Sequence, residues 1–102
     1  MKLHFYVRFH TEPGQTLSVT GNIAALGNNS LTEALPMTWL NNDFWQVSAD
    51  TDTAAMGSIH YKYVLTYADG FKVVEGGNDK EINVNKKGVD EIQLVDRWNY
   101  AG

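Results

Sequence analysis

The stretch IHYKYVLTY, residues 59–67, carries the strongest strand signal in the chain. Most of its residues are β-branched or aromatic, and such residues favour an extended backbone. The turn residues Ala68-Asp69-Gly70 follow, and residues 72–75 predict a returning strand. The fold is therefore built outward from a β-hairpin.

The same period of two recurs elsewhere. Leu3, Phe5, Val7 and Phe9 alternate with more polar residues, which predicts a first strand with one face in a core. Further strands are predicted over residues 16–20, 35–40, 44–49, 80–83 and 91–95. No stretch of ten residues has apolar residues at helical spacing. The pattern is typical of an all-β fold, an immunoglobulin-like antiparallel β-sandwich of seven to eight strands, in one domain over residues 1–102.

The composition indicates a single, mildly acidic domain. The chain has 102 residues, a formal net charge of −4 and no cysteine. A chain of this length buries about two thirds of the surface that its unfolded form exposes, so a core forms without staples. The absence of cysteine excludes disulfides, thiol chemistry and cysteine-bound metal sites. The eight basic residues are scattered, which argues against nucleic acid and membranes as partners.

The sequence contains no motif for catalysis. The serines have no nucleophile-elbow context, and His4 and His10 would lie about 20 Å apart along one strand, too far to share a metal ion. We therefore expect no catalytic residues, no metal ligands and no cofactor in this domain. Twelve acidic residues leave open one alternative, a small glycosidase with a pair of carboxylates.

Two tryptophans flank a polar loop. Trp39 and Trp45 lie on either side of Asn41-Asn42-Asp43, and a hairpin closed about Asn42 places the two indoles opposite each other. Two interpretations remain open. The pair packs in the core, or it forms an exposed platform on which a neutral sugar stacks, with Asn41 and Asn42 as hydrogen-bonding groups.

Six short motifs follow one another along the whole chain. They are LSVTGNIAALG at 17–27, ALPM at 34–37, FWQV at 44–47, HYKYV at 60–64, VEGGNDK at 74–80 and DRW at 96–98. In this order they resemble the starch-binding domains of carbohydrate-binding module family 20. The resemblance implies an immunoglobulin-like β-sandwich that binds α-1,4-glucans such as starch, glycogen and maltooligosaccharides without catalysis.

The resemblance implies two glucan sites of unequal quality. In the hairpin site, Trp45 matches a family tryptophan and Trp39 falls near a second family aromatic, whereas Pro13 stands where a loop tyrosine is usual. Asn29 and Val74 replace the two tryptophans of the other site, which predicts that this site is weak or lost. Its remaining polar positions are Lys62, Glu75, Asn78 and Asp79.

Modules of this family are usually attached to amylolytic enzymes. The chain begins at Met1 with a strand and shows no signal-peptide pattern. With the resemblance, this implies a cytoplasmic location at the N-terminus of a 4-α-glucanotransferase of glycoside hydrolase family 77, whose catalytic domain is the partner.

A third class of function remains open. A degenerate module that has lost glucan binding would serve its parent as a structural or docking element. The solvent exposure of Trp39 and Trp45 distinguishes an exposed platform from a buried pair.

Overall fold

A computed structural model describes residues 2–51, 58–76, 79–83 and 91–98. In these ranges the chain forms nine short strands and one 3₁₀ turn, Ala24–Leu26. The strands are β1 (Lys2–Arg8), β2 (Thr16–Gly21), β3 (Leu35–Pro36), β4 (Thr38–Trp39), β5 (Phe44–Asp50), β6 (Ser58–Thr66), β7 (Lys72–Val74), β8 (Lys80–Asn83) and β9 (Glu91–Arg97). Within the same ranges, no helix is long and apolar enough to cross a membrane.

The strands form two sheets packed as a sandwich, so the predicted all-β fold is confirmed. One sheet has the order β4-β5-β1-β9, and the other has the order β3-β2-β6-β7 with β8 also paired to β6. One pairing departs from the antiparallel expectation, because β1 and β9 run parallel, from Lys2↔Glu91 to Arg8↔Arg97. A parallel pair needs a long crossover, and here the whole second sheet lies between the two strands in sequence.

The core follows directly from the period of two. Leu3, Phe5 and Val7 are fully buried on the inner face of β1, and Leu17 and Val19 are buried on β2. Alternate residues of a strand point to opposite faces, so each of these strands contributes one apolar row to the space between the sheets. The first strand signal in the sequence therefore predicts the core correctly.

A carboxylate links the two sheets. The hydroxyls of Tyr61 and Tyr63 on β6 both donate to Oδ2 of Asp96 on β9, at 2.8 and 2.7 Å. The Tyr61 ring also packs edge-on against Phe5, with centroids 5.2 Å apart. Both buried hydroxyls therefore have a hydrogen-bond acceptor on the opposite sheet, which offsets the cost of removing them from water.

The segment 35–40 is not one strand as predicted, because the chain changes sheets within it. Leu35 and Pro36 pair with β2 in one sheet, and Thr38 and Trp39 pair with β5 in the other. Met37 lies buried between them, and its backbone N–H donates to the Leu17 carbonyl at 2.8 Å. This crossing makes β4 an edge strand, which decides the exposure of Trp39.

Three connections meet at one end of the sandwich, which we call the hairpin end. The Phe9 N–H donates to the Asp43 carbonyl at 2.9 Å, which joins the β1–β2 and β4–β5 loops. The register Thr16↔Thr66 brings the start of β2 beside the end of β6. The hairpin end consists of residues 9–15, 40–43 and 67–71.

Candidate functional site

The two hairpin tryptophans are paired as predicted. Trp39 on β4 lies directly opposite Trp45 on β5, and the Leu40 N–H donates to the Phe44 carbonyl at 2.9 Å. Directly paired residues of antiparallel strands place their side chains on the same face of the sheet. The hairpin register inferred from the polar loop is therefore confirmed.

The two indoles differ in their exposure to solvent. Trp39 is 54% exposed, whereas Trp45 is only 7% exposed and belongs to the hydrophobic core. The Trp45 indole N–H also donates to the Thr11 hydroxyl at 3.3 Å, which fixes the ring against the β1–β2 loop. Of the two alternatives for this pair, core packing describes Trp45 and an exposed platform describes Trp39.

The loop beside Trp39 is held by its own side chains. Asn41 Oδ1 accepts hydrogen bonds from the backbone N–H groups of Asp43 and Phe44, both at 2.9 Å. The Asn42 carbonyl accepts from His10 Nδ1 at 3.0 Å, so His10 carries a proton on that nitrogen. The predicted binding amides therefore sit on an ordered loop, and the Asn42 side chain is exposed there.

The second predicted site is a small cavity without an indole. Asn29, Lys62, Val74 and Asp79 line the same cavity of about 260 Å³. The Lys62 ammonium and the Asp79 carboxylate form an ion pair at 3.4 Å. The structure therefore brings together two of the four predicted polar residues, Lys62 and Asp79, and the two replaced tryptophan positions, which an aliphatic and an amide side chain occupy.

Among the described residues, one that was predicted for this second site, Glu75, does not line the cavity. Glu75 is 3% exposed, forms an ion pair with Lys80 at 2.8 Å and accepts from the Tyr63 backbone N–H at 3.1 Å. These contacts assign Glu75 to the packing of β6 against β8, where a carboxylate must be paired when buried. Asn78 lies outside the described residues.

The largest pKa shifts belong to two tyrosines in the interior. Burial, reinforced by the Asp96 carboxylate, raises the pKa of both the Tyr61 and the Tyr63 hydroxyl far above their ordinary range. These phenols remain protonated and act as hydrogen-bond donors. In the described ranges, no group of three or more His, Asp or Glu side chains is placed to hold a metal ion.

Sequence reasoning missed a second exposed aromatic group at the hairpin end. Phe71 is 63% exposed and Tyr67 is 38% exposed, and they flank the β6–β7 turn. The sequence signal for this group is Phe71 itself. It follows the turn residue Gly70 and precedes the strand predicted at 72–75, so the alternation of buried residues does not account for its apolar side chain.

This chain is similar to one protein family and to several solved structures. The family model CBM_20, described as starch binding domain, matches residues 1–93. The glycoside hydrolase family 15 glucoamylase from Hypocrea jecorina matches with a TM-score of 0.85 and 27% identity, over 96% of this chain and 17% of that one.

Two more distant structures share the fold. The family 20 module of the maltotetraose-forming amylase from Pseudomonas saccharophila STB07 has a TM-score of 0.74 and 16% identity, over 96% of this chain and 100% of that one. The γ-CGTase from alkalophilic Bacillus clarkii has a TM-score of 0.73 and 21% identity, over 96% of this chain and 15% of that one. The chain thus spans about a sixth of the glucoamylase and of the CGTase, and the full length of the isolated module.

Proposed function

The chain belongs to the starch-binding domain family CBM_20, and we propose that it binds α-1,4-glucans through the exposed indole of Trp39. Domains of this family bind starch without catalysing a reaction. The observation that carries the proposal is the 54% exposure of Trp39 on an edge strand whose paired residue, Trp45, is buried.

The chemistry of the hairpin suits a neutral sugar. A pyranose ring presents C–H groups on its faces, which stack on an indole, and hydroxyls at its edge. Asn42 supplies an exposed amide in the loop that follows Trp39, and Asn41, whose Oδ1 already accepts two backbone hydrogen bonds, retains its NH₂ group as a donor. Trp45 is buried in the core and supports the site indirectly, because it anchors β5, the strand that pairs with Trp39 on β4.

The second cavity contributes less in this proposal. Lys62 and Asp79 already form an ion pair with each other, and Val74 offers no flat face for stacking. A sugar bound there would displace water from these polar groups and would bury little apolar surface in return. We therefore assign the principal site to the hairpin.

A module with one principal stacking residue binds weakly, and attachment to an enzyme makes weak binding useful. Tethering holds a catalytic domain at an effective concentration of about millimolar near the polymer. The proposed parent is an enzyme that acts on α-glucans. We propose a cytoplasmic 4-α-glucanotransferase as this parent, whereas the solved structures with similar domains include a glucoamylase, a CGTase and the module of a maltotetraose-forming amylase.

Calorimetry and affinity electrophoresis test the glucan site. Wild type is expected to bind maltoheptaose, β-cyclodextrin and soluble amylose, and to ignore the β-1,4-linked cellohexaose. Trp39→Ala is expected to weaken binding about tenfold or more, since an aromatic contact is lost together with its buried area. Leu40→Ala is the matched control, because Leu40 is a neighbouring exposed apolar residue. Absence of wild-type binding to all three α-glucans would overturn the proposal.

The same measurements distinguish the docking alternative. A structural element that packs against its parent would bind no glucan alone, and Trp39→Ala would instead weaken its association with the catalytic domain. The exposed polar residues of the loop that follows Trp39 suit the hydroxyls of a sugar better than they suit an apolar protein face. The glycosidase alternative predicts hydrolysis of maltoheptaose on long incubation, which a non-catalytic family does not produce.

A further inference from the structure

The β6–β7 turn presents two aromatic rings on a fixed backbone. The Gly70 N–H donates to the Tyr67 carbonyl at 2.9 Å, and the Tyr67 N–H donates to the Phe71 carbonyl at 2.8 Å. Asp69 Oδ1 accepts from the Phe71 N–H at 3.0 Å. Gly70 has a φ of +90°, a backbone conformation that residues with a Cβ atom rarely adopt, so glycine at this position suits the turn.

The rings form an open cleft instead of packing into the core. The centroids of Tyr67 and Phe71 are 6.0 Å apart, and the ring planes are inclined by 42°. Tyr67, Ala68, Asp69 and Phe71 line a cleft of about 440 Å³. Phe71 is 63% exposed, so most of its apolar ring contacts solvent and gains no stabilisation from packing in the core.

This cleft lies at the hairpin end, next to the β1–β2 loop. A Cβ atom on Gly14 would lie 2.9 Å from the Ala68 Cβ, so the loop and the turn are in direct contact. The same loop carries Thr11, which accepts the hydrogen bond from the Trp45 indole. At Pro13 this loop has no aromatic side chain of its own.

We propose that Tyr67 and Phe71 form a second stacking position for an α-glucan at the hairpin end, additional to Trp39. The inference rests on the proposed function and extends the glucan surface across the β1–β2 loop to the β6–β7 turn. Tyr67 and Asp69 both line the cleft, and their hydroxyl and carboxylate groups suit the hydroxyls of a sugar.

The size of the cleft favours a sugar over a protein partner. Stable protein interfaces bury about 800 Å² on each partner, whereas this patch consists of two rings and one turn. An acidic group beside an aromatic pair matches the hydroxyl-rich edge of a neutral sugar and repels an anionic ligand.

Backbone NMR with maltoheptaose locates the site directly. Amide signals of residues 67–71 are expected to shift with those near Trp39 in wild type. Phe71→Ala should abolish the shifts at the turn and weaken maltoheptaose binding about three- to tenfold. Phe71→Tyr keeps a ring and should retain wild-type affinity. Val95→Ala is the matched control, because Val95 is 67% exposed on β9 in the other sheet and should change nothing.

The outcomes separate this inference from the glucan function itself. Shifts confined to the surroundings of Trp39, with unchanged affinity of Phe71→Ala, would overturn the second position and leave the first intact. Absence of shifts anywhere would overturn both. Thermal unfolding of each variant confirms that Phe71→Ala is folded, and Tyr67→Ala supplies an independent test of the same cleft.

Discussion

Trp39 and Trp45 are direct partners across β4 and β5, yet 54% of Trp39 is exposed and only 7% of Trp45. The pair shares one face of the sheet, but β4 is the edge strand, so only the inner member reaches the core. One indole therefore stabilises the hairpin and the other is available to a ligand. This division of roles makes the two residues separable by mutation.

Trp45→Ala is expected to lower the free energy of unfolding by about 3–5 kcal/mol, because it removes a large core side chain and leaves a cavity. Trp39→Ala should change the free energy of unfolding by less than about 0.5 kcal/mol, as is usual for an exposed site. Urea denaturation at pH 7 measures both values. Equal destabilisation by the two variants would contradict the assigned roles.

Glu75 is expected to act on stability and not on glucan affinity. Glu75→Ala removes the partner of Lys80 and of the Tyr63 backbone N–H, which should cost about 3 kcal/mol, since breaking a buried pair leaves its other members unsatisfied. The folded variant should bind β-cyclodextrin as wild type does. A loss of affinity without a loss of stability would instead place Glu75 at the ligand.

Alkaline pH is expected to unfold the domain through Tyr61 and Tyr63. Burial and the Asp96 carboxylate raise the pKa of both hydroxyls above their unfolded value of about 10. The folded state then retains protons that the unfolded state releases. The stabilisation is therefore complete below pH 10 and is lost above it, by about 1.4 kcal/mol per pH unit for each tyrosine.

Urea unfolding between pH 9 and pH 11 measures this slope. The double variant Tyr61→Phe, Tyr63→Phe supplies the background from other titrating groups, and subtraction isolates the two phenols. Asp96→Asn keeps a hydrogen-bond acceptor but removes the charge, and because burial is the largest cause of the raised pKa of both tyrosines, the slope in this pH range is expected to persist. A wild-type slope equal to that of the double variant would contradict the role given to these hydroxyls.

The strands and the hairpin register were predictable because both depend on local patterns. Alternation in β1 fixed its buried face, and the polar loop fixed the pairing of Trp39 with Trp45. Both features follow from short-range geometry, since residues two apart on a strand share a face and a short loop sets the register.

The exposure of individual side chains was not predictable, because it depends on long-range topology. Trp39 is exposed since the chain changes sheets at Met37, and no local pattern marks that crossing. Glu75 matched a binding position by resemblance, but its burial depends on Lys80, which arrives from the following strand. Phe71 lies between the predicted turn at 68–70 and the predicted strand at 72–75, so neither pattern assigned its side chain to a face, and it is 63% exposed in the structure.

The cavity that contains Val74 offers a test by gain of function. An indole at this position would supply the flat face that the family pattern places there, in the cavity that Lys62 and Asn29 also line. Val74→Trp is therefore expected to increase affinity for β-cyclodextrin, by about threefold or more for one added aromatic contact.

The effect of Lys62→Ala then distinguishes a specific sugar site from nonspecific binding to the added indole. In wild type, Lys62→Ala should leave affinity nearly unchanged, because the site proposed at Trp39 lies at the other end of the sandwich. In the Val74→Trp background, Lys62→Ala should reduce affinity, because a sugar stacked on the indole brings its hydroxyls within reach of the Lys62 ammonium. The effects of the two substitutions are then coupled. Val95→Trp, which adds an indole to an exposed position on β9, should produce neither the gain nor the coupling. Additive effects of the two substitutions, measured by calorimetry, would contradict a sugar site here. They would mean that the ion pair with Asp79 withholds the Lys62 ammonium from the sugar even when the indole is present.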